Sequence, residues 1–246
     1  MEKTPGYIVK RCINDKHGLL LLQPIFSVKT DMPFAHEIYL RLLASDGRPI
    51  APAAFLPTAT VLGMLHDIDL LTLDLIRRDL LPKLTPNVGK LAVNVALKSL
   101  MQHDYLSRLA TDAWQVQLRR LVFEMHDHEL LALPESEKVI KYLTGKSISL
   151  TVTSADVAVL KRAQGLGVQN LKLDIGKFGL SPEGLKNIVQ TAKKIGFMVT
   201  LSNIETRTQH QVAMAAEADY VQGYHYVKPQ TSPVQVGLRA LAGRYS

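Results

Sequence analysis

The chain has 246 residues, 47% of them hydrophobic and 21% charged, which allows one large barrel or two small domains with a sizeable core. A single cysteine, Cys12, excludes an internal disulfide and a cysteine-built zinc site. No apolar run approaches a membrane span and the start, Met1 to Pro5, has no signal-like apolar stretch, so a cytoplasmic location is expected; the net charge of +7 favours anionic partners such as nucleotides, RNA or acidic proteins.

Residues 1–16 are polar and mixed, and read as an N-terminal arm or helix. Leu19 to Val28 reads as a strand with Gln23-Pro24 inside it, and proline in a strand asks for an edge or irregular position. The turn Thr30 to Pro33 leads to a second apolar strand, Phe34 to Leu43, which holds Glu37 and Arg41. The two are close enough to form a hairpin. A buried strand rarely carries charge unless that charge is paired or used.

Helices are expected over 52–63 and 67–81, the second stopped by Pro82. Asn87-Val88-Gly89 reads as a turn, Leu91 to Val95 as a strand, and 98–114 as one helix carrying Trp114. The strand Arg120 to Met125 follows, then a helix opened by Pro134 and ended at Gly145. Further strands are expected at Ser147–Val152, Asn170–Asp174, Phe197–Leu201 and Tyr220–Tyr224. Helices are expected between them at 155–166, from Ser181 to Ile195, and at 206–217 with Gln209 and Gln211 exposed. A short basic helix is placed in the tail at 233–243.

About eight strands, most separated by helices and with no linker, imply a mostly parallel sheet closed into a β/α barrel. The opening hairpin makes one strand antiparallel. The organisation expected is an arm at 1–16, a barrel at 17–230 and a tail at 231–246. In such barrels the site is built at the C-terminal ends of the strands. The polar residues Glu37, Asn94, Glu124, Lys172, Ser202 and Gln222 all sit in or late in their strands.

These residues also carry a resemblance. Leu22-Gln23-Pro24-Ile25, Glu37-Ile38-Tyr39-Leu40-Arg41, Val93-Asn94, Phe123-Glu124-Met125, Lys172-Leu173-Asp174, Ile204-Glu205-Thr206 and Val221-Gln222-Gly223-Tyr224 resemble, in order and spacing, the EAL domain of bacterial cyclic-di-GMP phosphodiesterases. Ala54-Phe55-Leu56-Pro57 resembles the family's helix after the signature strand. The resemblance implies a TIM-like β/α barrel with an antiparallel first strand, and a cyclic dinucleotide as ancestral ligand. It implies a remnant ligand pocket of Glu37, Tyr39, Arg41, Asn94, Glu124, Lys172 and Gln222, with Arg41 as a phosphate contact.

The departures point away from catalysis. Active members hold two divalent metals with the signature glutamate, an asparagine, a strand-four glutamate and a strand-five Asp-Asp pair. The first three match Glu37, Asn94 and Glu124, but the pair falls on Thr151-Val152. Valine cannot ligate a metal and threonine is a poor ligand for magnesium or manganese. The loop that follows becomes Thr153-Ser154-Ala155-Asp156, a further family glutamate becomes Ser202, and the signature Ala-Leu becomes Ile38-Tyr39. No catalytic residue, metal or cofactor is therefore assigned.

Glu37 and Lys172 can persist as a buried ion pair with a structural role, or Lys172 can contact phosphate directly. Asp174 can cap a loop or pair with Lys172. His126 and His128 share a face with Glu124 if the segment stays extended, although a polar loop is the plainer reading. His36 points to the strand's other face, and Glu205 has a loop-positioning role on the family pattern. Cys12 reads as a small packing residue. Leu65, Leu70 and Leu73 are candidates for a homodimer contact of the kind the family makes, although core burial against the barrel is the plainer reading for most of them.

Two functions are expected from these features. One is an inactive EAL regulator acting through a macromolecular partner, in RNA turnover or in biofilm and motility signalling. Inactive relatives resemble protein-binding adaptors, including ones that tether small-RNA turnover machinery, and the basic surface admits RNA. The other is a cyclic-di-GMP receptor that binds without cleaving; the third and least supported reading is a residual cyclic-di-GMP phosphodiesterase.

Overall fold

The computed structural model describes residues 4–84, 88–111, 118–126, 131, 133–177 and 181–231. Two antiparallel strands open the sheet, β1 (Gly18–Ser27) and β2 (Pro33–Leu43), paired from Gly18↔Leu42 to Phe26↔Pro33. A short β3 (Pro49–Ile50) extends the end of β2. Parallel strands follow: β4 (Lys90–Val95), β5 (Leu121–Met125), β6 (Ser149–Val152), β7 (Asn170–Asp174), β8 (Met198–Ser202) and β9 (Tyr220–Val221). The order β1-β9-β8-β7-β6-β5-β4-β2, with β1 also paired to β2, closes an eight-stranded barrel, as the alternating sequence pattern implies. β1 runs antiparallel to both its neighbours.

Period-two patterning divides the barrel into two apolar layers. Ile38, Val93, Phe123, Leu150, Val152, Leu171, Val199 and Val221 face outward into the main core beneath the helices. The alternate residues face the barrel axis. Ile25, Ala35, Ala92 and Val122 fill its floor, with Tyr220 packed on them.

The helices are α1 (Pro5–Asn14), α2 (Pro52–Val61), α3 (Leu65–Leu75), α4 (Leu97–Leu100), α5 (His103–Leu109), α6 (Pro134–Gly145), α7 (Val157–Gly165), α8 (Pro182–Lys194) and α9 (Arg207–Ala215). Proline opens α1, α2, α6 and α8, where its missing N–H is no loss. Asp156 and Ser181 cap α7 and α8, and Thr206 with Gln209 forms a capping box on α9. Gln209 is thus engaged at a helix start rather than exposed on its face, while Gln211 is exposed. A second core unites α1, α2, α3 and the outer end of β2, and buries Val9, Cys12, Phe55 and Leu71. α1 is therefore a docked helix, and Cys12 packs within it with its thiol against the carbonyl of Leu43.

Several boundaries differ from the sequence expectation. The helix expected over 98–114 is two short helices, α4 and α5, broken at Met101-Gln102; Trp114 lies outside the described residues, as do Asn87, Asp127, His128 and the tail from 232 on. The helix before Pro82 leaves α geometry at Ile76 and continues as a π turn and a 3-10 turn to Lys83. Strand β6 begins at Ser149, not Ser147, because Ser147 takes a left-handed φ of 60° to leave α6. The last strand stops at Val221 rather than Tyr224. At Gly223 a Cβ would stand 2.0 Å from the carbonyl oxygen of Ile204, so the chain turns there through a residue without a side chain. Pro24 lies inside the closed barrel, but β1 pairs with β9 only through Phe26 and Ser27, and a bulge follows at Ile25/Phe26. The absent N–H falls where no ladder bond is required.

Candidate functional site

The C-terminal ends of the strands bring one inward residue each to a common point. Glu37 from β2, Asn94 from β4, Glu124 from β5 and Lys172 from β7 meet Gln222, which follows β9, and Gln23 of the antiparallel β1. Register explains the convergence: Gln23 lies opposite Glu37, and Asn94 lies beside Glu124. The Lys172 ammonium sits 2.6 Å from Glu37 Oε2 and 2.9 Å from Glu124 Oε2, with all three side chains buried. Glu37 also accepts from Asn94 Nδ2 at 2.8 Å, Gln222 Nε2 at 2.8 Å and the Tyr39 hydroxyl at 2.7 Å.

Burial on its own would push the Glu37 carboxyl up; the Lys172 charge and the hydrogen bonds from Lys172, Asn94 and Tyr39 outweigh it and hold the group well down, at about 2. Glu124 goes the other way. Burial and the facing Glu37 charge push it up to about 7, against the pull of Lys172. Burial opposes the charge on Lys172, but the Glu124 and Glu37 carboxylates more than offset it and raise its pKa. Burial and the Glu37 charge keep the Tyr39 phenol protonated, with its pKa far above the usual value. Tyr39 therefore stays a donor to Glu37, and having one hydrogen it cannot donate to Gln23 at the same time.

Of the residues expected in the pocket, Glu37, Tyr39, Asn94, Glu124, Lys172 and Gln222 form this network. Arg41 does not join it. It lies one step further along the same strand face, donates to the Leu40 carbonyl, and holds its guanidinium 5.7 Å from the Tyr39 ring centre. Gln23 belongs to the network without having been singled out from the sequence, although a glutamine inside an apolar strand is the same signal that marks the others. It donates to the Val227 carbonyl at 2.8 Å and accepts from Gln222. His126, for which a polar loop is the plainer sequence reading, has its Nε2 2.5 Å from Asn94 Oδ1, at the rim of the cluster. Asp174 caps its loop at Gly176 and accepts from Asn203, so of its two readings the structure shows the loop. His36 is buried on the outward face against the Val88 carbonyl. Leu73 is core, whereas Leu65 and Leu70 are half-buried.

A cavity of about 430 Å³ opens beside the network. Glu37, Tyr39, Asn94 and His126 line one side of it; Phe55, Leu56, Leu65 and Ile68 line the other. The sequence resemblance implies two dications at this point, and the donor set can be set against that requirement. On the barrel face beside Glu124, β6 presents Thr151. Val152 faces the other way, fully buried in the outer core. Ser202 is turned to the Leu173 carbonyl. Two carboxylates sharing one ammonium leave the centre one negative charge at most, so these residues do not fit a pair of divalent ions. Among the described residues, no group of three or more His, Cys, Asp or Glu is placed to hold a metal ion, and no helix is long and apolar enough to cross a membrane.

Comparison with known proteins agrees with this architecture. Over 244 residues the chain is 24% identical to the cyclic di-GMP phosphodiesterase PdeF of Escherichia coli, covering 90% of this chain and 31% of that protein. The chain spans about a third to a half of the length of the curated relatives it matches. The FimX EAL domain from Pseudomonas aeruginosa, solved bound to c-di-GMP, superposes with a TM-score of 0.78 at 21% identity, covering 95% of this chain and 99% of that one. The Bacillus subtilis YkuI protein, with an EAL domain and in complex with c-di-GMP and calcium, gives 0.75 at 22% identity, covering 97% of this chain and 60% of that one. The family model described as the EAL domain matches residues 8–229, and the chain belongs to that family.

Proposed function

We propose that this chain is a non-hydrolysing EAL domain, a regulatory module that acts by binding a macromolecular partner rather than by cleaving a cyclic dinucleotide. One observation carries the reading. Lys172 bridges Glu37 and Glu124 at 2.6 and 2.9 Å, while the neighbouring strand offers a threonine on the inner face and a valine on the outer. A centre of that composition lacks the anionic oxygens that metal-assisted phosphodiester hydrolysis needs. The test is incubation with c-di-GMP and manganese or magnesium, followed by separation of the linear dinucleotide. No product above the protein-free control is expected. Linear product that disappears in Glu37→Gln would overturn the proposal.

A second reading, a c-di-GMP receptor, is favoured by the cavity lined by Tyr39 and by the Arg41 guanidinium 5.7 Å from the Tyr39 ring centre. The relatives solved with c-di-GMP support it as an analogy of fold. Isothermal titration with c-di-GMP, with and without magnesium, separates the two. Micromolar affinity that is indifferent to magnesium would favour the receptor, and no heat at about 100 µM protein would set it aside.

A further inference from the structure

The opposite end of the barrel carries a surface that the proposed function does not use. The N-termini of the parallel strands meet the C-termini of the helices there. Lys146 follows α6, Lys194 ends α8, and Arg119 and Arg120 precede β5; Lys29 lies in the β1–β2 turn. Lys29, Arg119, Lys146 and Lys194 are exposed. Acids on this end are partly engaged. Asp219 pairs with Lys193 at 3.0 Å and accepts from the Val199 amide, and Asp79 pairs with Arg78. Cations near helix C-termini complement the helix dipole, which accounts for Lys146 and Lys194 but not for the rings exposed at the same end.

The same end also carries exposed aromatic and apolar side chains. Phe34 sits at the β1–β2 bulge, 37% exposed, with its ring stacked on Tyr220 at 4.3 Å and an interplanar angle of 20°. Tyr142, in the last turn of α6, is 49% exposed, with the Lys146 ammonium 5.9 Å from its ring centre. Met198, on the inward face at the start of β8, is 42% exposed. A barrel floor needs an apolar plug, and Ile25, Ala35, Ala92 and Val122 already form one. Phe34 and Tyr142 leave ring surface in water at the end of the barrel that carries these cations.

We propose that this end of the barrel binds single-stranded nucleic acid, with bases extending the Phe34–Tyr220 stack and phosphates meeting Lys146, Lys194 and Arg119. Charge complementarity selects a polyanion, and stackable rings at the same end select one with planar bases over an acidic protein. The site lies at the far end of the barrel from Lys172. It gives a class to the macromolecular partner proposed above and so rests on that reading, yet it fails separately, because its loss would leave the hydrolysis result standing.

The test is fluorescence anisotropy of a labelled oligouridine of about 20 nucleotides, titrated with the whole chain at salt from about 50 to 200 mM. Micromolar binding that weakens steeply with salt is expected. The double variant Lys146→Glu/Lys194→Glu should weaken it at least about tenfold and flatten the salt dependence, whereas Phe34→Ala should weaken it about 5- to 50-fold with the salt slope kept. Phe34→Leu, which retains the apolar cover and loses the flat ring, should bind as poorly as Phe34→Ala, with circular dichroism showing both folded. Three results would overturn the proposal: no anisotropy change at about 100 µM protein in low salt, unchanged affinity in these variants, or polyglutamate competing as well as unlabelled RNA.

Discussion

At the scale of the residue, Lys172 decides what the centre can be. It is the cation between two buried carboxylates, and Glu37 alone has four donors around it. Replacing Lys172 with methionine leaves Glu37 and Glu124 facing each other without a counter-charge. The expected loss is about 3–5 kcal/mol in urea unfolding at neutral pH, shrinking as acid protonates the pair. The wild-type chain carries a pH signature of its own. Glu124 is raised from 4.5 to about 7, so the folded state holds that proton more tightly than the unfolded chain does. Its contribution is complete below about pH 4.5 and is lost as pH rises through 7, a change of about 3 kcal/mol. Glu37 has the opposite sign, contributing above pH 4.5 and losing that contribution as pH falls towards 2. Glu124→Gln should therefore remove the decline in stability between about pH 4.5 and 7 while keeping the decline in acid, read from urea midpoints across that range.

At the scale of the element, β6 shows how strand alternation separates two neighbouring positions. Thr151 lies beside Glu124 on the inner face, and Val152 packs in the outer core. Val152→Asp should cost about 3–5 kcal/mol, because it places a charge in an apolar layer. Thr151→Asp should cost less, because its carboxylate would lie beside the Lys172 ammonium. Thermal melts of the two single variants rank them, and equal losses would contradict the assigned faces. The turn after β9 is equally specific: Gly223→Ala sets a methyl group against the Ile204 carbonyl and should lower the melting temperature by several degrees.

At the scale of the whole molecule, closure depends on two segments far apart in the chain. β9 pairs with β1 through two residues only, and the seam is completed by Leu22 bonding to Gln230 and by Gln23 donating to the Val227 carbonyl. A chain ended at Tyr226 loses the two backbone bonds between Leu22 and Gln230, the bond from Gln23 to Val227, and the packing of Val227 against the main core. It should be about 2–4 kcal/mol less stable than one ended at Thr231, by urea unfolding.

The fold and most of the centre were legible in the order of the residues. Apolar strands alternating with helices, each with one polar residue near its end, specified a barrel and named Glu37, Asn94, Glu124, Lys172 and Gln222, because side-chain period and strand count are local properties of a sequence. Tertiary structure alone decided that Arg41 stays outside the network, that Gln23 and His126 join it, and that Phe34, Tyr142, Lys146 and Lys194 share the far end of the barrel. These depend on register, on a bulge and on which helix end meets which strand. Residues far apart in the chain become neighbours only when the sheet closes, and no local pattern encodes that distance.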